Sequence, residues 1–380
     1  MPTKRYLMTP GPTPVPPQVL AAMAEPIVHH RSPDFTPVFV SCLERLGRVF
    51  RTERDVLVLS ASGTGAFESA VVNLLSPGER VLSVTSGNFG ERWTSMAKAY
   101  GADTQELRYA WGETPQPADL EARLEELGGA SVVFLVHSET STGVVSDVQA
   151  LAAVAKRAGA LVVVDAVSSL GGVPLETDAW GIDVVVTGSQ KALMTPPGLG
   201  LVSVSEAAVE KSKGAALPRF YLDWGKALKA QGNKTSAFTP AVSLVAGLDV
   251  ALGMLLDEGL DAVYDRHIRL GRAARAGAKA MGLQLFSPDE DRSAVVTAIR
   301  GPQGVDADAM RKIVRDRHGV TLAGGQGDLT GQIFRIGHIG WYDVFDITTA
   351  LGAVELVLAE LGADIERGRA AAAALEAFSA

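Results

Sequence analysis

The 380-residue chain carries a single cysteine, Cys42. That excludes an intrachain disulfide and any cysteine-built metal site, and it suits a reducing compartment. A surplus of positive charge is also missing. The chain has 35 Lys and Arg against 43 Asp and Glu, a formal net charge of −8. No basic surface therefore invites nucleic acid, and an anionic ligand needs a local pocket of donors. No uninterrupted apolar stretch reaches the roughly 20 residues that span a bilayer. The opening "MPTKRYLMTPGPTPVPP" is full of proline and has no long apolar core, so it does not read as a signal peptide. From these absences we expect a cytoplasmic protein with neither nucleic-acid nor membrane partners. Internal repeats and charge-block linkers are absent too.

What is present fits a globular protein of enzyme size: 47% hydrophobic and 21% charged residues. The length is too great for one ordinary core, so we expect a large domain and a smaller one. Short apolar runs predict strands at 55–60, 80–85, 131–137, 160–165, 183–189 and 200–205. Continuous apolar runs suit strands covered on both faces. Helical patterns fall near 65–75, 91–101, 117–128 and 147–158. This alternation predicts an α/β fold with a mainly parallel sheet between helices. From about 240 the pattern changes. A helical region runs to about 282 with a break near Gly259. "LQLF" (283–286), "AVVTAIR" (294–300) and "QIFRIG" (332–337) then read as strands, with helices near 306–318, 342–361 and in the alanine-rich tail. That is the pattern of a smaller α+β domain. The expected division is an N-terminal extended segment (1–20), a large domain (21–255) and a small C-terminal domain (256–380).

Four features could carry chemistry. In "SASGTGAFESAVVNLL" (60–75) a strand gives way to small residues and a helix start. Gly63 and Gly65 allow close backbone approach, and the free N–H groups of a helix start favour an anion such as phosphate. An ordinary strand–turn–helix link would look the same. Asp165 ends the apolar run "LVVVD", where open α/β sheets place their ligands. It could pair with a cation or a protonated ring nitrogen, or simply cap a turn. Lys191 follows the apolar run "DVVVTGS". Desolvation there could lower its pKa and make it a nucleophile or base, unless it snorkels to water. Arg335 interrupts "QIFRIG", where its planar fork suits a carboxylate, on a substrate or in a structural ion pair. Together, a phosphate cradle, a strand-end Asp and a strand-end Lys are what pyridoxal phosphate requires.

At these residues the chain resembles the class V, fold-type I pyridoxal-phosphate aminotransferases, and within them the alanine–glyoxylate and serine–glyoxylate/pyruvate group. The resemblance runs through "TPGPTPVPP", "SGTGAFE", "HSETSTGV", "VVDAVSSLGG", "TGSQKALMTPPGL" and "FRIGHIG". It implies a large domain built on a mainly parallel, seven-stranded type of sheet, and a set of roles. Lys191 would bind the cofactor aldehyde covalently, and Asp165 would pair with the pyridine nitrogen. Thr64, Gly65 and Ala66 would meet the phosphate, with Gln190 alongside. Thr140 would lie near the ring hydroxyl, Phe89 would stack on the ring, and Arg335 would grip the substrate carboxylate. Thr235 and Thr239, in "NKTSAFTPAVSL", would reach the phosphate of the other subunit of a homodimer, with active sites at the subunit interface. Phe89 stands where relatives often have Trp, and Ala66 where some carry His. The "TPGPTPVPP" segment would thread across the cleft.

The implied reaction is transamination between a small amino acid, alanine or serine, and a 2-oxo acid, glyoxylate or pyruvate. Only one carboxylate clamp is legible, which argues against a dicarboxylate donor such as aspartate. A second cation could come from Arg31 or the partner chain. A lyase or epimerase would share the same first proton removal, and a non-catalytic subunit or scaffold is the alternative of another class. A desulfurase would need a catalytic cysteine in a mobile loop, and Cys42 sits far upstream, near an amphipathic helical stretch. His137, at the end of an apolar strand, reads as a hydrogen-bonded structural histidine. His29 and His30 could border the substrate mouth but make a poor metal pair.

Overall fold

The computed structural model describes residues 4–287 and 293–380. Seven strands form the central sheet: β1 (Val56–Leu59), β2 (Arg80–Thr85), β3 (Asp103–Arg108), β4 (Val132–Val136), β5 (Leu161–Asp165), β6 (Val184–Gly188) and β7 (Gly200–Val204). Their spatial order is β1-β7-β6-β5-β4-β2-β3. Only β7 runs against its neighbours, while the remaining pairs are parallel.

The sequence explains why these strands lie at the centre. Every residue of β4 is apolar and buried, and successive side chains point to opposite faces. Val133 and Leu135 join Val162 and Val164 in one apolar cluster. Val132, Phe134 and Val136 join Phe67 and Trp93 in another. Trp93 stacks against Phe67 at 4.4 Å and Phe134 at 4.6 Å, clamping helices Gly63–Leu74 and Asn88–Ala99 to the sheet.

Two expectations needed correction. Strand β3 was not legible in the sequence, because "DTQELR" is polar and only half-buried. It is an edge strand paired solely with β2, and its charged side chains blunt that edge. Arg80 and Lys98 meet Asp103 and Glu106 there. Conversely, "LQLF" is not a strand. Gly282 turns the chain just before it at φ 81°. The run then bends at Phe286, so only Leu285 bridges to Ile299.

Beyond helix Val242–Glu258, Gly259 (φ 88°) redirects the chain into helix Leu260–Ala280. A second, antiparallel sheet follows: β8 (Val296–Arg300), β9 (Ala323–Gly324) and β10 (Ile333–Gly337), in the order β8-β10-β9. It has its own apolar core, built with helices Ala307–His318, Val344–Glu360 and Ala370–Ser379. The start of the chain is tied to this part. Tyr6–Leu7 pairs with Val320–Thr321, and Gly337 N donates to Met8 O at 2.9 Å.

Candidate active site

The sheet order reverses between β2 and β4. From β2 the chain steps outward to β3, whereas from β4 it steps the other way through β5 and β6. Such a reversal opens a crevice at the carboxyl ends of the strands. Within it β4, β5 and β6 lie side by side, with Asp165 opposite both Val136 and Val186. Asp165 therefore sits at a strand tip, and Lys191 three residues past the end of β6.

Asp165 is buried, and its Oδ1 accepts from Val167 N at 2.8 Å. Burial pushes its carboxyl up to about 7. The nearby charge of Glu139 adds to that rise, while the Val167 amide and the charges of Lys191 and Arg92 oppose it. Lys191 is 8% exposed. Burial lowers its amine to about 8, helped by the Arg335 charge and opposed by Asp165. Among the described residues its Nζ has neither a hydrogen-bond partner nor an ion pair. Its backbone is fixed instead: Thr13 Oγ1 donates to Lys191 O at 2.9 Å, and Thr13 N donates to Gln190 O at 3.1 Å.

Arg335 reaches the crevice from the centre of β10, between Ala298 and Ala323. Its Nε donates to Gly324 O at 2.8 Å, and one Nη donates to Thr140 O. It forms no ion pair with the described residues, and burial lowers its pKa to about 10.

On the other side of Asp165, helix Gly63–Leu74 begins. Gly63 is pressed so close to Val167 that a Cβ there would lie 2.8 Å from Val167 Cγ2. The Ser62 side chain accepts from Gly65 N, and Ala66 N is committed to Ser62 O. The free N–H groups at this helix start are thus those of Gly63 and Thr64. The buried Gln190 Oε1 is also without a partner. A helix start with open donors is suited to a phosphate, whereas the Gln190 oxygen is an acceptor that calls for a donor.

An unpartnered amine of lowered basicity, a buried carboxylate and an anion cradle converge here. Over residues 5–334 the chain matches the family model described as aminotransferase class V. It is 46% identical over 365 residues to a "soluble hydrogenase, small subunit" of Synechococcus sp. (strain PCC 6716), covering 95% of each chain. It is 37% identical over 388 residues to an L-aspartate–glyoxylate aminotransferase of Paracoccus denitrificans, covering 100% of this chain and 97% of the relative. The solved structure of a ureidoglycine–glyoxylate aminotransferase from Bacillus subtilis superimposes with a TM-score of 0.95 at 30% identity, covering 100% of this chain and 99% of the other.

The chain belongs to the class V aminotransferases.

Its cofactor is accordingly pyridoxal 5′-phosphate, and the donor set fits that group. The orphaned Lys191 amine suits an aldehyde, and Asp165 suits a ring nitrogen. The open N–H groups of Gly63 and Thr64 suit a phosphate.

In this aminotransferase Phe89 lies in the first turn of helix Asn88–Ala99, with the Arg92 guanidinium 4.8 Å from its ring. Arg92 also donates to Thr64 Oγ1 at 3.2 Å. Thr140 Oγ1 is 3.4 Å from Ser168 Oγ. Thr235 and Thr239 stand apart from this group. Their loop is tied to the end of β1 by Ala241 N donating to Ser60 Oγ at 3.1 Å. Thr235 Oγ1 is buried without a partner, and Thr239 is exposed. No hydrogen bond in the described chain links either threonine to Lys191, Asp165 or Arg335.

Sequence reasoning missed Arg92, Ser168, Thr13 and Glu139. Arg92 had a usable signal, since an i,i+3 offset from Phe89 puts both on one helix face. One histidine reading also changed. His137 is buried, but its Nδ1 has no hydrogen-bond partner among the described residues, so it is not a fully hydrogen-bonded structural histidine. Burial lowers its pKa to about 4 and keeps the ring neutral. His29 and His30 pack ring to ring at 4.6 Å. Cys42 is wholly buried, and burial pushes its thiol far up, which leaves it unreactive.

Proposed function

We propose that this class V aminotransferase exchanges an amino group between alanine or serine and glyoxylate or pyruvate. One observation carries the reading. The Lys191 amine, buried and without a partner among the described residues, lies between the charges of Asp165 and Arg335, with that of Arg92 also acting on it. Bound pyridoxal phosphate supplies the electron sink and carries the amino group between the two half-reactions. Lys191 would hold the cofactor at its aldehyde, and its amine would move the proton at the substrate Cα. Its lowered basicity suits both tasks near neutral pH. Asp165 keeps the ring nitrogen protonated. The open N–H groups of Gly63 and Thr64 would hold the phosphate, at the turn that Gly65 and Ala66 close onto Ser62, with Gln190 alongside; Thr140 would meet the ring hydroxyl, and Phe89 would cover one ring face. Arg335 binds the substrate carboxylate bidentately.

The donor is small in this reading. The Gly11 segment crowds Lys191, and of the two guanidiniums whose charge reaches Lys191, Arg92 is engaged by Phe89 and Thr64, which leaves Arg335 as the carboxylate clamp. Glyoxylate as acceptor is supported by the names of the Paracoccus and Bacillus proteins. The Paracoccus name also favours a second reading, aspartate as donor, which would need another cation from Arg31 or the partner chain. The Synechococcus protein's name favours another reading, a subunit of a larger complex. The convergence of Lys191, Asp165 and Arg335 supports the enzyme over that role.

The active unit in this reading is a homodimer, in which Thr235 and Thr239 reach the partner's phosphate. Phe220 is 70% exposed and Tyr221 44%, and Phe238 packs against both. An aromatic patch of this kind suits a subunit interface. The C-terminal part from residue 256 acts as a separate small domain carrying Arg335. No helix among the described residues is long and apolar enough to cross a membrane, and we assign the protein to the cytoplasm. Product analysis with alanine, serine and aspartate, each paired with glyoxylate, tests the substrate pair. Glycine formed with alanine or serine supports it, and glycine formed only with aspartate overturns it.

A further inference from the structure

The reversal in the sheet leaves two unconnected loops to build one seat. Helix Asn88–Ala99, after β2, carries Phe89. The hairpin after β4, in which Ser138–Glu139 pairs with Val144–Val145, carries Thr140. Glu139 joins them across the crevice. It is fully buried. Its Oε2 accepts from Phe89 N at 2.9 Å and from Gly90 N at 3.1 Å. Its Oε1 accepts from Ser141 N at 3.2 Å and from the Ser141 hydroxyl.

The helix cannot cap itself. Its N-cap is Gly87, which has no side chain, and a Cβ there would lie 2.5 Å from Glu139 Cγ. The Ser141 hydroxyl takes the next orphan donor, Asn88 N, at 3.1 Å. A carboxylate placed so deep is costly unless donors surround it, and four surround this one. The residue beside it extends the tie: Thr140 O accepts from Arg335 of the C-terminal sheet, and Thr140 Oγ1 lies near Ser168.

We propose that Glu139 is a positioning residue, which by capping the Phe89 helix from the Thr140 hairpin fixes the ring-covering phenyl, the ring-hydroxyl contact and the Arg335 clamp as one body. The inference rests on the reading of Phe89 and Thr140 as cofactor contacts. A simple structural cap would contribute to stability alone, whereas a positioning residue also sets how the cofactor is held.

The test compares Glu139→Gln with wild type. The amide keeps the shape but turns an N–H2 group toward an N–H. Three readouts are used: hydrogen exchange of the Phe89 and Gly90 amides in the cofactor-free chain, its thermal midpoint, and titration with pyridoxal phosphate followed by visible absorption and circular dichroism. The expected result is faster exchange at those two amides and cofactor half-saturation raised about tenfold. The visible dichroism should weaken, and the midpoint should shift by no more than about 3 °C. Wild-type half-saturation and dichroism in a folded Glu139→Gln protein overturn the inference. If that variant does not fold, Ser141→Ala removes one of the four bonds to Glu139 and the cap on Asn88 N, and it should show the same shifts at smaller size; wild-type behaviour there overturns the inference equally. A wild-type protein with no visible band refutes the cofactor-site reading, whereas a normal band unchanged in the variants refutes the Glu139 role alone.

Discussion

Gly11 lies against the side chain of Lys191 with no room for one added carbon: a Cβ there would overlap Cδ, Cε and Nζ of the lysine. The contact is made by a segment fixed at both ends. Met8 is bonded to Gly337, and Thr13 to Gln190 and Lys191. Gly11 also has a φ of 151°, in the region that favours glycine. Gly11→Ala should therefore displace either the segment or the lysine. We predict a fall in kcat/KM of about 100-fold. Steady-state kinetics with alanine and glyoxylate check this, and a loss of less than about threefold would show that the close approach does not shape the site.

Asp165 gives a pH signature that needs no cofactor. Burial holds its carboxyl near 7 in the fold, against about 3.9 in an unfolded chain. The folded state keeps the proton longer. The stability this group contributes is thus complete below about pH 4 and is lost as pH rises through about 7. Asparagine is neutral throughout and can still accept from Val167 N. Cofactor-free Asp165→Asn should gain on wild type as pH rises, with a larger advantage in thermal midpoint at pH 8 than at pH 5. An advantage independent of pH would mean that the carboxyl is not strained by burial.

Arg335→Lys keeps one charge and loses the fork. The bonds from Nε to Gly324 O and from Nη to Thr140 O cannot both be made by one ammonium. We expect KM for the amino acid to rise by about 10- to 100-fold, with kcat less affected. A change confined to kcat would move Arg335 from substrate binding to holding the hairpin.

If the aromatic patch is the subunit interface, Phe220→Asp should weaken it. Phe220 is largely exposed in the single chain, so the substitution costs the folded chain little. Light scattering should report a dimer for wild type and a monomer for the variant, with cofactor affinity falling alongside. A variant that stays dimeric locates the interface elsewhere.

The parts that were legible in the sequence share a cause. Strands β4, β5 and β6 are buried on both faces, so their apolar runs are unbroken, and a polar residue at the end of such a run stands out. That is how Asp165 and Lys191 could be read. The polar edge strand β3 carries no such run. Glu139 was hidden for a different reason: it bonds to backbone N–H groups 50 and 49 residues away. Backbone donors leave no mark in the identity of the residues that supply them. Arg335 was visible as a charge within an apolar strand, but its approach to Thr140 depends on how the C-terminal sheet packs over the crevice.

If Lys191 and Asp165 serve a half-transamination of a small amino acid, the bound cofactor must report it. The most direct measurement is the visible absorption of the purified protein loaded with pyridoxal phosphate. L-alanine or L-serine is added alone, and glyoxylate follows. The expected band bleaches with the amino acid, returns with glyoxylate and is absent from Lys191→Ala. A band that neither donor alters, or one that persists unchanged in Lys191→Ala, would contradict that role for Lys191 and Asp165.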